Sequence, residues 1–193
     1  MATESTLKNI LGIHHVTAIA GNPQQNLDFY TGVLGLRLVK LTINFDDPGA
    51  YHLYYGDEVG HPGTILTFFS WPGAPLGHRG TRQATTTSFS VPGGTLGYWI
   101  ERFTAHGVTC EQPITRFDEE ALVFFDPDGL QLELVARAEA DVRVPWSGGS
   151  VLPECAIRGL HSVALSEQRA EPTAALLTEM TKPAQRVRGW MLF

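Results

Sequence analysis

Leu11-Gly12-Ile13-His14-His15-Val16-Thr17-Ala18-Ile19 is the stretch that decides the fold. Apolar and β-branched residues dominate it, and Gly21-Asn22-Pro23 ends it, so it reads as a strand. Side chains alternate across a strand, which puts His15, Thr17 and Ile19 on one face and His14, Val16 and Ala18 on the other. A histidine here is either a core residue or a metal ligand, since metal sites need several converging donors. What favours the ligand is that the pattern around it recurs twice downstream.

Asn22 suits a helix N-cap and Pro23 the first helical position. Leu27, Tyr30, Val33 and Leu34 then form an apolar stripe that Gly35 stops. Strands are expected at Leu36 to Ile43, Tyr51 to Gly56 and Thr64 to Trp71, separated by turns at 44–49 and His61-Pro62-Gly63. Residues 8–72 thus read as one βαβββ unit. His52 alternates with tyrosines and lines either a pocket or an exposed face, whereas His61, in a turn, is expected to be solvated.

The order returns in residues 80–136. Thr85 to Val91 is a β-branched strand, and Leu96, Trp99, Ile100 and Phe103 mark an amphipathic helix ending near Gly107. Short strands are expected around Val108–Cys110 and Ala121–Phe125. Asp126-Pro127-Asp128-Gly129 then launches Leu130 to Val135, whose leucines would face the helix while Glu133 projects from the opposite face. Aligning the two units puts Thr86 at the His15 position and Thr67 at the Glu133 position.

Residues 137–156, with Pro145, Gly148, Gly149, Ser150 and Pro153, read as a linker. Ile157-Arg158-Gly159-Leu160-His161-Ser162-Val163-Ala164-Leu165 repeats the opening stretch, His161 matching His14 and Ser162 matching His15. A helix from Glu171 to Met180 follows. Residues 157–193 are therefore an incomplete third unit whose tail, from about Thr181, is expected to be the least ordered segment. The fold class expected is α+β: tandem βαβββ units whose sheets form a half-barrel, plus that third unit.

Of 193 residues, 43% are hydrophobic and 18% charged, as in ordinary globular proteins, and the net charge of −6 argues against general nucleic-acid or membrane-surface binding. The opening Met1 to Thr6 lacks the basic and apolar regions of a signal peptide, and no apolar run approaches the roughly 18 residues of a membrane span. Cys110 and Cys155 form no CxxC motif and are expected to be reduced, in a cytoplasmic protein.

Three motifs stand together: the His15 strand, Phe29-Tyr30…Val33-Leu34-Gly35-Leu36, and Asp126-Pro127-Asp128-Gly129…Glu133-Leu134. With the paired βαβββ pattern, this set resembles the vicinal oxygen chelate superfamily, the glyoxalase/bleomycin resistance/dioxygenase group. Within it, Gly12 to Thr17, Asn44-Phe45-Asp46-Asp47-Pro48…Tyr51 to Asp57, Pro62-Gly63-Thr64…Thr67-Phe68-Phe69 and Ile157 to His161 look like the dioxygenases that open hydroquinone rings. The resemblance implies an Fe(II) site of two histidines and one carboxylate, with His15 as one ligand and His14 and Thr17 in the pocket around metal and substrate. It also implies four units, with the second histidine and the glutamate contributed by the fourth. Against that pattern the chain reads as a shortened relative with an incomplete metal site, and Glu133, at the ligand position of its own unit, is the remaining candidate ligand.

The leading expectation is thus an Fe(II)-dependent extradiol-type dioxygenase acting on a hydroquinone- or catechol-like ring with O2, because a facial triad leaves positions open for both. His15 and Glu133 are the candidate metal ligands, His14 and Thr17 the catalytic candidates, and His52 and Tyr54 the substrate-binding ones. A homodimer is an expected assembly, since a second chain could supply missing donors. The alternative is a metal-free small-molecule-binding module with Trp71, Trp99, Tyr51 and Tyr54 as aromatic walls. A glyoxalase-type isomerase needs more ligands than these units offer.

Overall fold

The computed structural model describes residues 12–139 and 141–180. Leu11, the start of the opening stretch, and the tail from Thr181, expected to be least ordered, lie outside the described residues.

Strand β1 (His15–Ala20) leads into α1 (Pro23–Leu27), capped by the Asn22 side chain, which accepts from the Gln24 and Gln25 N–H groups. The helix then widens into a π-helical segment, Asp28–Val33. Tyr30, Val33 and Leu34 of the expected stripe are buried there, and Phe29 joins them. Strands β2 (Arg37–Ile43), β3 (Tyr51–Gly56) and β4 (Ile65–Ser70) complete the unit, and the sheet runs β1-β4-β3-β2, with β1 parallel to β4.

The second unit repeats this plan. Strand β5 (Gln83–Pro92) is followed by α2 (Leu96–Ala105), β6 (Ile114–Arg116), β7 (Glu119–Phe125) and β8 (Gln131–Arg137), in the order β6-β7-β8-β5 with β5 parallel to β8. The short strand expected near Val108–Cys110 is displaced: Cys110 makes one bridge to Phe124, and β6 forms six residues later. There Phe117 and Asp118, both with positive φ, turn it back onto β7. Strand β9 (Gly159–Ser166) adds to β5 antiparallel, and α3 (Ala170–Met180) follows. The result is α+β with two open mixed sheets and, among the described residues, no closed barrel.

One apolar core joins the two units. Phe124 packs against Phe103 and Phe29, with ring centroids 4.5 and 6.5 Å apart. Polar contacts lock the same seam. The Tyr30 hydroxyl donates to Asp126 Oδ2 at 2.9 Å, and Arg102 donates to the Val33 and Gly32 carbonyls at 2.7 and 2.6 Å. Part of the stretch read as a linker is drawn into this core: Val151, Cys155 and Ala156 are buried, and the Trp99 indole donates to the Cys155 carbonyl at 3.0 Å. Trp99 is therefore core, and not one of the aromatic walls that the alternative binding-module reading needs.

Candidate functional site

Alternation along β1 leaves Val16, Ala18 and Ala20 against the helix side and His15, Thr17 and Ile19 exposed on the other face. The ladder carries that open face across the sheet. Thr17 pairs with Thr67 and Thr67 with Tyr54, while Ile19 pairs with Phe69 and Phe69 with His52. Residues directly opposite share a face, so five polar side chains from three strands gather there: His15, Thr17, Thr67, His52 and Tyr54.

Four of them form one continuous hydrogen-bonded chain. The Tyr54 hydroxyl lies 2.9 Å from His52 Nδ1, His52 Nε2 lies 3.2 Å from Thr67 Oγ1, and Thr67 donates to Thr17 Oγ1 at 2.9 Å. Thr67 is buried, whereas Thr17 is exposed. The His52 ring packs, tilted, against Phe69 and Tyr54, with centroids 4.0 and 4.1 Å apart, and Lys40 sits over the Tyr54 ring at 5.3 Å. Burial, reinforced by the nearby charges of Lys40 and His15, lowers the pKa of His52 below the ordinary imidazole value. That shift favours the neutral ring.

His14, just before β1, brings its Nδ1 to 3.1 Å from His15 Nδ1. One ring must donate and the other accept; the same spacing suits two donors on one ion.

Glu133 stands elsewhere. It lies on the second sheet, on the face opposite Leu132 and Leu134, as its alternation requires, but it is buried rather than open. Ser88 donates to its Oε2 at 2.8 Å, and the Arg116 guanidinium, reaching in from β6, pairs with Oε1. Among the described residues no group of three or more His, Cys, Asp or Glu is arranged to hold a metal ion. The described residues therefore do not fit a three-donor iron site by themselves: His15 has only the neighbouring His14 imidazole beside it, and Glu133 already has its counter-ion.

Thr67, Lys40, Phe69 and Arg116 are the residues that reading the sequence missed. Thr67 had a signal, its alignment with Glu133; Arg116 had none, because its partner is distant in sequence. His61, expected to be solvated, is exposed yet tied to Asp57, with Nδ1 2.6 Å from Oδ2. Trp71 donates to Asp47 Oδ2 at 2.7 Å at the end of β4.

Residues 12–134 match the model of the Glyoxalase/Bleomycin resistance protein/Dioxygenase superfamily. The chain belongs to this superfamily. It is 50% identical over 170 residues to MhqO of Bacillus subtilis strain 168, named as a ring-cleaving dioxygenase, covering 88% of this chain and 54% of that protein. It is 36% identical over 167 residues to a chlorohydroquinone/hydroquinone 1,2-dioxygenase of Sphingobium indicum, covering 85% of this chain and 52% of the relative. A crystal structure of a Bacillus subtilis protein named as a dioxygenase superposes with a TM-score of 0.84 at 48% identity, over 91% of this chain and 56% of the other. The chain thus spans about half the length of the curated relatives it matches. Among the described residues no helix is long and apolar enough to cross a membrane.

Proposed function

We propose that this chain carries part of a ring-cleaving dioxygenase of the superfamily, and that the open face of the first sheet is its side of the site for a hydroquinone- or catechol-like ring and O2. The observation that supports this reading most is the gathering of His15, Thr17, Thr67, His52 and Tyr54 on one exposed sheet face. In this reading the cofactor is Fe(II), His15 is one of its ligands, and His14 and Thr17 flank the reacting groups. His52 and Tyr54 form the wall along which an aromatic substrate lies, Phe69 extending it.

The other donors come from outside the described set, with a homodimer as one way to bring them, or from Glu133 after it exchanges Arg116 for the metal. The expected compartment is the cytoplasm, and neither nucleic acid nor membrane enters as a partner.

The test is anaerobic reconstitution of the chain with Fe(II), followed by hydroquinone and air. Bound iron, oxygen uptake and a ring-opened product support the reading. Iron-free protein that consumes no oxygen overturns it for this chain. A second reading, a metal-free small-molecule-binding module, is favoured by one observation: Glu133, buried on the second sheet, is paired with Arg116. Saturable binding of hydroquinone by iron-free protein that also takes up no iron would select it.

A further inference from the structure

We propose that the outer edge of β1 pairs with β1 of a second copy of this chain, antiparallel and about a two-fold axis at Val16, so that the open faces of two molecules join into one site.

The second sheet supplies the template. There the edge equivalent to β1 is covered, because β9 lies antiparallel on β5. Both strands repeat β1, with Thr86 and Ser162 at the His15 position. Their register sets Thr86 opposite Ala164, Thr87 opposite Val163 and Ser88 opposite Ser162. Translated to β1, these pairs are His15 with Thr17, Val16 with Val16, and Thr17 with His15. The register also slips twice, passing over Thr85 on β5 and His161 on β9, and both of these stand at the His14 position. The pairing is therefore symmetric about its centre although its two strands differ in sequence. Two identical strands can adopt it as an isologous contact.

Strand β1 carries the marks of a missing neighbour. It ends its sheet, in the order β1-β4-β3-β2. Val16 and Ala18 are only half-buried, whereas Thr87 and Phe89, at the same positions beside β9, are buried. Ile19 is 61% exposed. Residues 13–20 include no proline and no Lys, Arg, Asp or Glu, the residues that keep an edge from pairing. The opposite edge, β2, corresponds to β6, which no strand covers among the described residues. The template thus selects β1.

Residues directly opposite share a face. This register sets His15 beside the second copy's Thr17, and Thr17 beside the second copy's His15, all on the open face. Each copy thereby contributes a histidine to the other's half. Only the naming of that face as a site rests on the proposed function; the strand pairing needs neither metal nor substrate, so the two can fail separately.

Sedimentation equilibrium of the metal-free 193-residue chain, up to roughly 100 μM, should give twice the 21.1 kDa of one chain. Thr17→Lys, which sets two like charges across the axis, should give a monomer. Ile43→Lys, exposed on the opposite edge, should leave the dimer intact. Val16→Cys should cross-link under mild oxidation, since the two Val16 lie directly opposite. Ile19→Cys, roughly 20 Å from its mate in this register, should not, and the unaltered chain controls for Cys110 and Cys155. The cross-link keeps the test decisive if the lysine variant fails to fold. A dimer that survives folded Thr17→Lys, or a cross-link at Ile19 and not at Val16, overturns the proposal. So does a monomer: with β1 amides slow to exchange hydrogen, a segment of the same chain covers the edge, and with fast exchange it is left to a strand of another protein. A monomer that binds iron and opens the ring would keep the proposed function and remove only the dimer. A dimer without iron would do the reverse.

Discussion

Ser88 donates a 2.8 Å hydrogen bond to Glu133 across β5 and β8, at the register position where Thr67 and Thr17 meet across β4 and β1. Ser88 and Thr17 are equivalent by the same 71-residue offset that relates Thr86 to His15. Duplicated units have thus kept one cross-strand bond and changed what surrounds it. On the first sheet the bond ends at an exposed hydroxyl. On the second it ends at a carboxylate closed over by Arg116.

That closure makes the Arg116–Glu133 pair structural. Arg116→Ala leaves a buried carboxylate without its counter-ion and should destabilise the chain by about 1–3 kcal/mol, less than for a fully buried pair because the Arg116 side chain is 37% exposed. Adding Glu133→Gln should recover part of the loss. Denaturant unfolding of both single variants and the double variant measures the coupling; additive losses would mean that the pair contributes nothing.

Asp126 is the residue whose titration should register in stability. Burial raises its pKa from 3.8 to about 6, opposed by the hydrogen bonds it accepts from Leu130 N–H, Tyr30 and Asp128 N–H. A folded-state value above the unfolded one means that folding favours the protonated acid. The contribution is complete below about pH 4 and is lost as pH rises through about 6, at most about 3 kcal/mol. The stability difference between the unaltered chain and Asp126→Asn should therefore shift toward the variant from pH 4 to 6 and stay constant above. A difference independent of pH in that window would refute the shift.

Gly35 ends the first helix at φ +70°, and a Cβ there would lie 2.5 Å from Val151 Cγ2. Gly35→Ala adds left-handed strain to that clash and should cost about 2–4 kcal/mol, read as a fall in Tm. Val151→Ala in the same chain should return part of it, since the contact with Cγ2 goes while the tight 3.0 Å approach to the Val151 Cβ and the backbone strain stay. If the two substitutions were simply additive, the contact would not be what limits position 35.

What was legible in the sequence was whatever depends on neighbours along the chain. The β3 strand falls at Tyr51–Gly56 as read, because turn residues bracket a short β-rich run. The face shared by His15, Thr17 and Ile19 follows from alternation alone. The π-helical segment was not legible, since nothing in the local spacing marks it and its Phe29 packs against Phe124, almost a hundred residues away. Nor was Arg116, whose strand is short and whose partner lies on β8, beyond the intervening β7. The polar chain on the open face was half legible. His52 and Tyr54 alternate visibly, but that Thr67 joins them to Thr17 depends on β4 lying between β1 and β3.

Metal binding separates the two candidate ligands. His15 is exposed and its nearest polar neighbour is another imidazole, so an ion can reach it without breaking a salt bridge. Glu133 would have to release Arg116 and the Ser88 hydroxyl, giving up its ion pair and leaving the buried Ser88 donor without its acceptor. His15→Ala should therefore abolish whatever iron the reconstituted chain holds, while Glu133→Gln should retain it to within about twofold. Metal content after anaerobic gel filtration reads both, and circular dichroism confirms that the variants remain folded. Retention of iron by His15→Ala removes His15 from the site. Loss of iron in Glu133→Gln, with the fold intact, would show that the carboxylate leaves Arg116 for the metal and that the second sheet moves toward the first when the site fills.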